Sequence, residues 1–489
     1  MSAIHDQAMN YVYQQVVHRL LSYFSRAERT ALQLLIQRLA VAAGGMERMG
    51  DYKVLFFHCG SRDSCYTLAF LRAAQLSIAG RAPATFQLRV ATQCLHGTSQ
   101  ATLDGIHRSY AALFLYDDPR VEVVMADNRE VVPFRNGAPM SAPGRQANRL
   151  NMLMVGHLRH REGPLDPGDD GYLAMGELYG RIARWDGGVD ALINADSPRR
   201  QKRFIDGLSR AAQKIGLSMP LQGTPGFAEL FALLDGLGGD YYRELYGNYA
   251  LAQWRPEASF ELWRRAHCIE IHDLILGNLE ERWPLFNEFL GVQPDELAAH
   301  AAENDYISPQ VSAHLRGLQA CFIEGRSYED GVTEFIERTL MTMRRNHWPD
   351  PVCDQVLAAL DGSGQWAEYR ERAAALVQAS MGVSETQLVC LLFAPFVDEG
   401  AGLELFLRQC HPGMLVAMPD LHRALQSGQA PEQVLQWMID VSGLPVALLG
   451  RLYRMPSVRR DDSAAVDMSD RDPESPAEAD PFGELSAGQ

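Results

Sequence analysis

The chain is short of paired cysteine, of positive charge and of long apolar runs, and each shortage closes off a class of protein. Its eight cysteines are scattered over 489 residues, with no Cys-x-x-Cys pair and no zinc-ligand spacing. In so long a chain this is the pattern of reduced thiols, not of a disulfide-stapled secreted scaffold. Lys and Arg total 45 against 61 Asp and Glu, a net charge of −16. Sequence-independent nucleic-acid binding needs a basic face, so nucleic acid is set aside as a partner, and an anionic membrane surface is disfavoured. No run of eighteen uninterrupted apolar residues occurs, which predicts no membrane span. Met1-Ser2-Ala3-Ile4-His5-Asp6-Gln7 lacks a basic segment leading into an apolar one, which predicts no secretion signal. The expected location is cytoplasmic.

What is present is the composition of a globular protein, 47% hydrophobic and 22% charged. The organising stretch is 52–78. Val54 to Phe57 reads as a buried strand, His58 to Ser64 as a polar turn, and Leu68, Phe70, Leu71, Ala74 and Leu76 as a helix. A strand feeding a helix through a small polar turn is the ligand end of an open α/β sheet, where helix N–H groups favour phosphate. Ser61 and Ser64 are candidate caps and Arg62 a candidate phosphate ligand; Ser61 and Asp63 serve equally as ordinary capping residues.

Residues 1–50 read as a helical pair, with Ser25 capping the second helix and Gly44-Gly45 ending it. Residues 51–220 alternate strands (53–57, 86–92, 121–125, 190–194) with helices (64–79, 99–114, 146–158, 172–185, 198–215). The fold class expected is α/β, a doubly wound, mainly parallel sheet of Rossmann-like type. Its ligand crevice belongs beside the loops at 58–63, 93–98 and 126–145. From 225 to 455 the spacing is helical throughout, giving a large all-helical domain. Residues 461–489 carry nine acids and one arginine and should be disordered.

The stretch 53–170 resembles the nucleotide-binding half of a GT-A-type glycosyltransferase. Lys53–Phe57 with Ser61-Arg62-Asp63-Ser64 resembles that family's first strand and turn. Phe86–Val90 with His96–Leu103, and Asp118–Val124 with Asn128, resemble the next two units. Ala147–Asn151 and then Leu165-Asp166-Pro167-Gly168-Asp169-Asp170 resemble the helix and acidic metal motif that close the half. The resemblance implies transfer of a sugar from a nucleotide-diphosphate sugar. It implies a divalent cation (Mg²⁺ or Mn²⁺) on Asp166, Asp169 and Asp170, with Arg62, Asp63, Ser64 and Asn128 lining the nucleotide and Asp170 also placed for catalysis. The family's acid after the second strand has no counterpart in Val90-Ala91-Thr92-Gln93-Cys94. Asp166 to Asp170 also fits an exposed turn.

The same turn, Cys59-Gly60-Ser61-Arg62-Asp63-Ser64, resembles the Ser-Gly-Gly-x-Asp-Ser loop of the PP-loop ATP pyrophosphatases. That resemblance implies ATP as ligand and adenylation of a carbonyl. Cys59 and Ser61 stand where that loop has a serine and a glycine. A third possibility is a non-catalytic interaction protein keeping the fold alone.

Two further clusters stand out. Ser197-Pro198 starts a helix bearing Arg199, Arg200, Lys202 and Arg203, which places Arg199 as a further phosphate ligand. In His267-Cys268-Ile269-Glu270-Ile271-His272-Asp273 a helix would put His267 and Glu270 on one face, making Glu270 a candidate catalytic base. An amphipathic surface helix accounts for the same residues. The acceptor, or a protein partner, is expected on the helical domain.

Overall fold

A computed structural model describes residues 3–94, 98, 100–127, 131–138, 140–158, 185–196, 201, 243–249, 267–275, 279–293, 308–345, 347–360 and 365–457. The chain opens with α1 (Ala3–Tyr23) and α2 (Arg26–Ala43). Ser25 and Glu28 close a reciprocal capping box on α2, and Gly44 ends it in the left-handed conformation.

The sheet follows: β1 (Lys53–Phe57), α3 (Arg62–Ala79), β2 (Gln87–Gln93), α4 (Gln100–Ala112), β3 (Val121–Ala126), β4 (Val131–Pro133), α5 (Ala142–His157) and β5 (Ala191–Asn194). Its sixth strand, β6 (His267–Glu270), comes from much later in the chain. The strand order is β4-β3-β2-β1-β5-β6, parallel throughout except for the short edge strand β4. From β1 the chain steps outward through β2 and β3, then crosses to β5 on the other side of β1. The order therefore reverses between β1 and β5.

Alternate strand residues serve two cores, as the two-residue period of a strand requires. Val54, Phe56, Leu88, Val90 and Ile193 join the main core with the helices. Leu55, Ala91, Val124, Ala126 and Leu192 form a smaller cluster that, among the described residues, also takes in Val189 and half-buried Trp185. The expected helices at 172–185 and 198–215 lie almost wholly outside the described residues.

Two strands depart from the expectation. β4 pairs antiparallel with β3, Ala126 opposite Val131. β6 corrects the helix expected through 260–276: residues 267–270 pair parallel with β5, Asn194 opposite Glu270. An open β5 edge supplies backbone partners that outweigh the local helical spacing.

After β6 the described residues are helical, as expected: α6 (Leu279–Pro284), α7 (Pro309–Phe322), α8 (Tyr328–Arg345), α9 (Asp350–Leu360), α10 (Trp366–Met381), α11 (Glu385–Phe393), α12 (Leu403–Cys410), α13 (Met418–Ser427), α14 (Glu432–Ser442) and α15 (Val446–Tyr453). Their core is continuous with that of the sheet; the His157 ring at the end of α5 packs edge-on against Phe396. Among the described residues no single helix is long and apolar enough to cross a membrane.

One buried histidine gives this part a pH dependence. His314 of α7 has no exposed surface, and its Nδ1 lies 2.8 Å from the Tyr328 hydroxyl. Its Nε2 is 3.7 Å from Glu385, which Arg370 grips through Nε and Nη2. Burial lowers its pKa from 6.5 to about 4; the Glu385 charge opposes this and Arg370 assists it. The unfolded chain therefore binds the extra proton first, and stability falls as pH drops from 6.5 toward 4. The loss over that window is expected to be about 3 kcal/mol. Urea melts of wild type and His314→Gln check it: the variant should lose that part of the slope, and an unchanged slope would place it elsewhere.

Candidate functional site

The β1–α3 turn lies at the carboxyl end of β1, beside the reversal in strand order. Ser61 caps α3, its Oγ accepting from the Ser64 N–H at 3.4 Å. With φ −66 and ψ 159, Ser61 is in ordinary extended backbone. Gly60 carries the strained position, φ +83, and its α-carbon faces α4 so closely that a Cβ would meet Thr102 Cγ2 at 3.0 Å and Ile106 Cγ1 at 3.1 Å.

The polar side chains of the turn converge. The Cys59 thiol donates to Ser61 Oγ at 3.2 Å and to Ser64 Oγ at 3.5 Å. Ser64 Oγ lies 3.1 Å from His58 Nδ1 and 2.9 Å from the Ser61 carbonyl. His58 is buried, its ring 5.4 Å from that of Tyr110, whose hydroxyl is 2.7 Å from Thr92 Oγ1.

Positive charge gathers at the same helix end. Arg62 lies 3.5 Å from Asp63 and stacks its guanidinium 5.4 Å from the centroid of Trp348, a residue between α8 and α9. Arg282 of α6 is buried with its guanidinium 4.0 Å from the Tyr66 ring. Burial lowers the Arg282 pKa, Tyr66, Asp63 and Glu28 counter it, and Arg62 adds to the lowering. The helical part thus contributes Trp348 and Arg282 to the surroundings of a turn that belongs to the sheet.

The expected site residues divide sharply. Arg62, Asp63 and Ser64 are together on the first turn of α3. Asn128, Asp166, Asp169, Asp170 and Arg199 lie outside the described residues. Glu270 is described, but its setting is corrected. β6 places His267 at its amino end and Glu270 at its carboxyl end, and side chains three apart in a strand face opposite ways. Glu270 accepts from Gln201 Nε2 at 2.7 Å, and its carbonyl accepts from Arg38, which also clamps Asp273 with both terminal nitrogens. Among the described residues no group of three or more His, Cys, Asp or Glu is placed to hold a metal ion.

Asp127, one residue before Asn128, is the acid the sequence reading passed over. It is buried at the carboxyl end of β3 and accepts from the Ser141 N–H at 3.0 Å where α5 begins; burial pushes the neighbouring Cys94 thiol up to about 12, and the Asp127 charge adds to that. His58 and Asp127 share a signal: each is the first polar residue after a buried parallel strand. No protein-family model, curated protein or solved structure matches this chain.

Proposed function

We propose that the chain binds a nucleotide at the carboxyl edge of its Rossmann-like sheet, with the phosphates on the β1–α3 turn, in the manner of an ATP-dependent adenylating enzyme. Open α/β sheets take ligands where the strand order reverses, and helix N-termini favour anions through their first N–H groups and the helix dipole. The observation that carries the reading is the conformation of Ser61. The PP-loop pattern has a glycine at this position, and a side chain there threatens the approach of phosphate. Ser61 has a negative φ that any residue adopts, and its hydroxyl turns back onto the Ser64 N–H. Gly60 keeps the position that needs glycine. Arg62 and Arg282 bring positive charge to the same end, as diphosphate binding requires.

Sugar transfer from a nucleotide-diphosphate sugar is the second reading. It is favoured by Glu270, an exposed carboxylate at the same sheet edge, about 10 Å across from β1 by strand spacing. On that reading Asp166, Asp169 and Asp170, outside the described residues, would hold the divalent cation, Asn128 and Arg199 the nucleotide, and Glu270 or Asp170 would deprotonate an acceptor.

Calorimetric titration separates the readings. ATP and pyrophosphate are expected to bind wild type, and Arg62→Ala to weaken both about tenfold, the loss of one charge-assisted contact. Nucleotide-sugar binding that needs Mn²⁺, fails in Asp169→Asn and ignores Arg62→Ala would put the second reading first. Binding of neither class would leave an interaction protein that keeps only the fold.

A further inference from the structure

We propose that Cys59 is a reactive nucleophile, deprotonated through Ser64 by His58, that accepts an acyl group from an activated carboxylic derivative such as a thioester or active ester. This goes beyond nucleotide binding and does not depend on it. Three groups that make a nucleophile and its base are joined in one turn: the thiol of Cys59, the hydroxyl of Ser64 at 3.5 Å and the imidazole of His58 at 3.1 Å from that hydroxyl. A nucleophile within hydrogen-bond reach of a base whose own orientation is fixed is the recurring signature of covalent catalysis. Here packing fixes the base. The His58 ring is held between Phe56 and Tyr110, and its backbone N–H is tied to the Ala91 carbonyl at 2.9 Å.

Burial works against the thiolate at several other cysteines of the fold, half-buried Cys268 and Cys410 among them. Burial pushes Cys65 and Cys94 up to about 12 and Cys410 up to about 11. Cys65 is six residues along the same segment, yet it is enclosed and turned toward the Gly60 carbonyl. Cys59 is only half-buried and precedes the first turn of α3, the kind of position where the positive helix end favours a thiolate.

The chemistry balances within these residues. Ser64 Oγ donates to the Ser61 carbonyl at 2.9 Å and lies 3.1 Å from His58 Nδ1, so rotation of the hydroxyl brings its one proton onto Nδ1 of the imidazole protonated at Nε2. As Cys59 Sγ attacks the carbonyl carbon, the thiol proton moves to Ser64 and the Ser64 proton to His58. The S–C bond forms and the carbonyl π pair moves to oxygen, an anion that helix N–H groups stabilise. Collapse breaks the bond to the leaving group, which departs with its electron pair and receives the proton from His58. Water then cleaves the S-acyl bond, releasing a carboxylic acid and restoring the thiol.

The test uses the full chain at pH 7 with iodoacetamide and p-nitrophenyl acetate, reading each cysteine by peptide mass spectrometry. Cys59 is expected to react about tenfold faster than N-acetylcysteine with both reagents, as an activated thiolate does. Ser64→Ala should remove about that tenfold advantage by breaking the proton path, while Ser64→Thr, which keeps a hydroxyl, should retain it. Cys59→Ser should abolish acetylation at this position. His58→Asn gives an independent reading should Ser64→Ala fail to fold. Cys59 reacting no faster than N-acetylcysteine overturns the proposal in wild type alone. So does a folded Ser64→Ala or His58→Asn protein that reacts at the wild-type rate.

Discussion

Asp118→Ala is expected to cost about 3–5 kcal/mol of stability, because it strips the counter-charge from a buried arginine. The Arg72 and Asp118 side chains are both fully enclosed, with Nη1 2.8 Å from Oδ2. Arg72 also donates to Gln75 Oε1 and to the carbonyls of Leu113 and Phe114, so it anchors the end of α4 to α3. Arg120 closes on the same carboxylate through Nε at 2.8 Å and Nη2 at 2.7 Å, and Tyr13 of α1 lies beneath both guanidiniums. Burial works to raise the Asp118 pKa, but the Arg120 hydrogen bonds and the Arg72 charge outweigh it and hold the group below 3.8. A depressed carboxylate contributes stability above its unfolded value, and that contribution disappears as pH falls through the folded one. Urea denaturation at pH 7 measures the cost. The double replacement Arg72→Met with Asp118→Leu should recover only part of it, since it removes the buried pair together but leaves Arg120 without its carboxylate and the Leu113 and Phe114 carbonyls without their donor. A loss under about 1 kcal/mol for Asp118→Ala would show that Arg72 finds water or another acid.

The elements legible in the sequence are those whose signal is local. α2 has its Ser25–Glu28 box and its glycine stop, β1 to β3 are short apolar runs between turns, and the helices from Pro309 onward repeat at helical spacing. β6 has no such signal. Only Ile269 of its four residues is buried, and its partner β5 is some seventy positions earlier in the sequence. Its conformation comes from the backbone groups it meets across the sheet, which no window of neighbouring residues encodes. β4 is three residues long and carries too little pattern to separate from the loop.

The same division runs through the site. A strand, a polar turn and a capped helix at 53–79 were legible, and so was the grouping of Arg62, Asp63 and Ser64. Which of the two turn positions tolerates a side chain was not, because φ at Gly60 and Ser61 depends on how α4 packs. Arg282 reaches the turn from α6 and Trp348 from the connection between α8 and α9, both distant in the sequence. His58 and Cys59 looked like ordinary turn residues, and only their convergence on Ser64 gives them a chemistry.

Gly60→Ala is expected to lower stability by about 2–5 kcal/mol and to abolish both pyrophosphate binding and the reactivity of Cys59. Two penalties combine. A φ of +83 is strained for any residue with a Cβ, at a cost of about 1–2 kcal/mol. The added methyl would also sit 3.0 Å from Thr102 Cγ2 and 3.1 Å from Ile106 Cγ1, and such overpacking costs about 1–3 kcal/mol. Relief of the clash would push the turn off α4 and carry Cys59 and Ser61 away from Ser64. Gly137 supplies the comparison, with φ +74 and nothing within 4 Å of its would-be Cβ. Gly137→Ala should therefore show the backbone penalty alone and leave both site readouts intact. Adding Thr102→Ser to Gly60→Ala removes the nearest methyl and should recover part of the stability. Denaturant melts, pyrophosphate titration and Cys59 alkylation on the same four proteins decide it. A Gly60→Ala protein that melts, binds and reacts like wild type would mean that the turn is not held against α4 in solution, and the site built on it would fall.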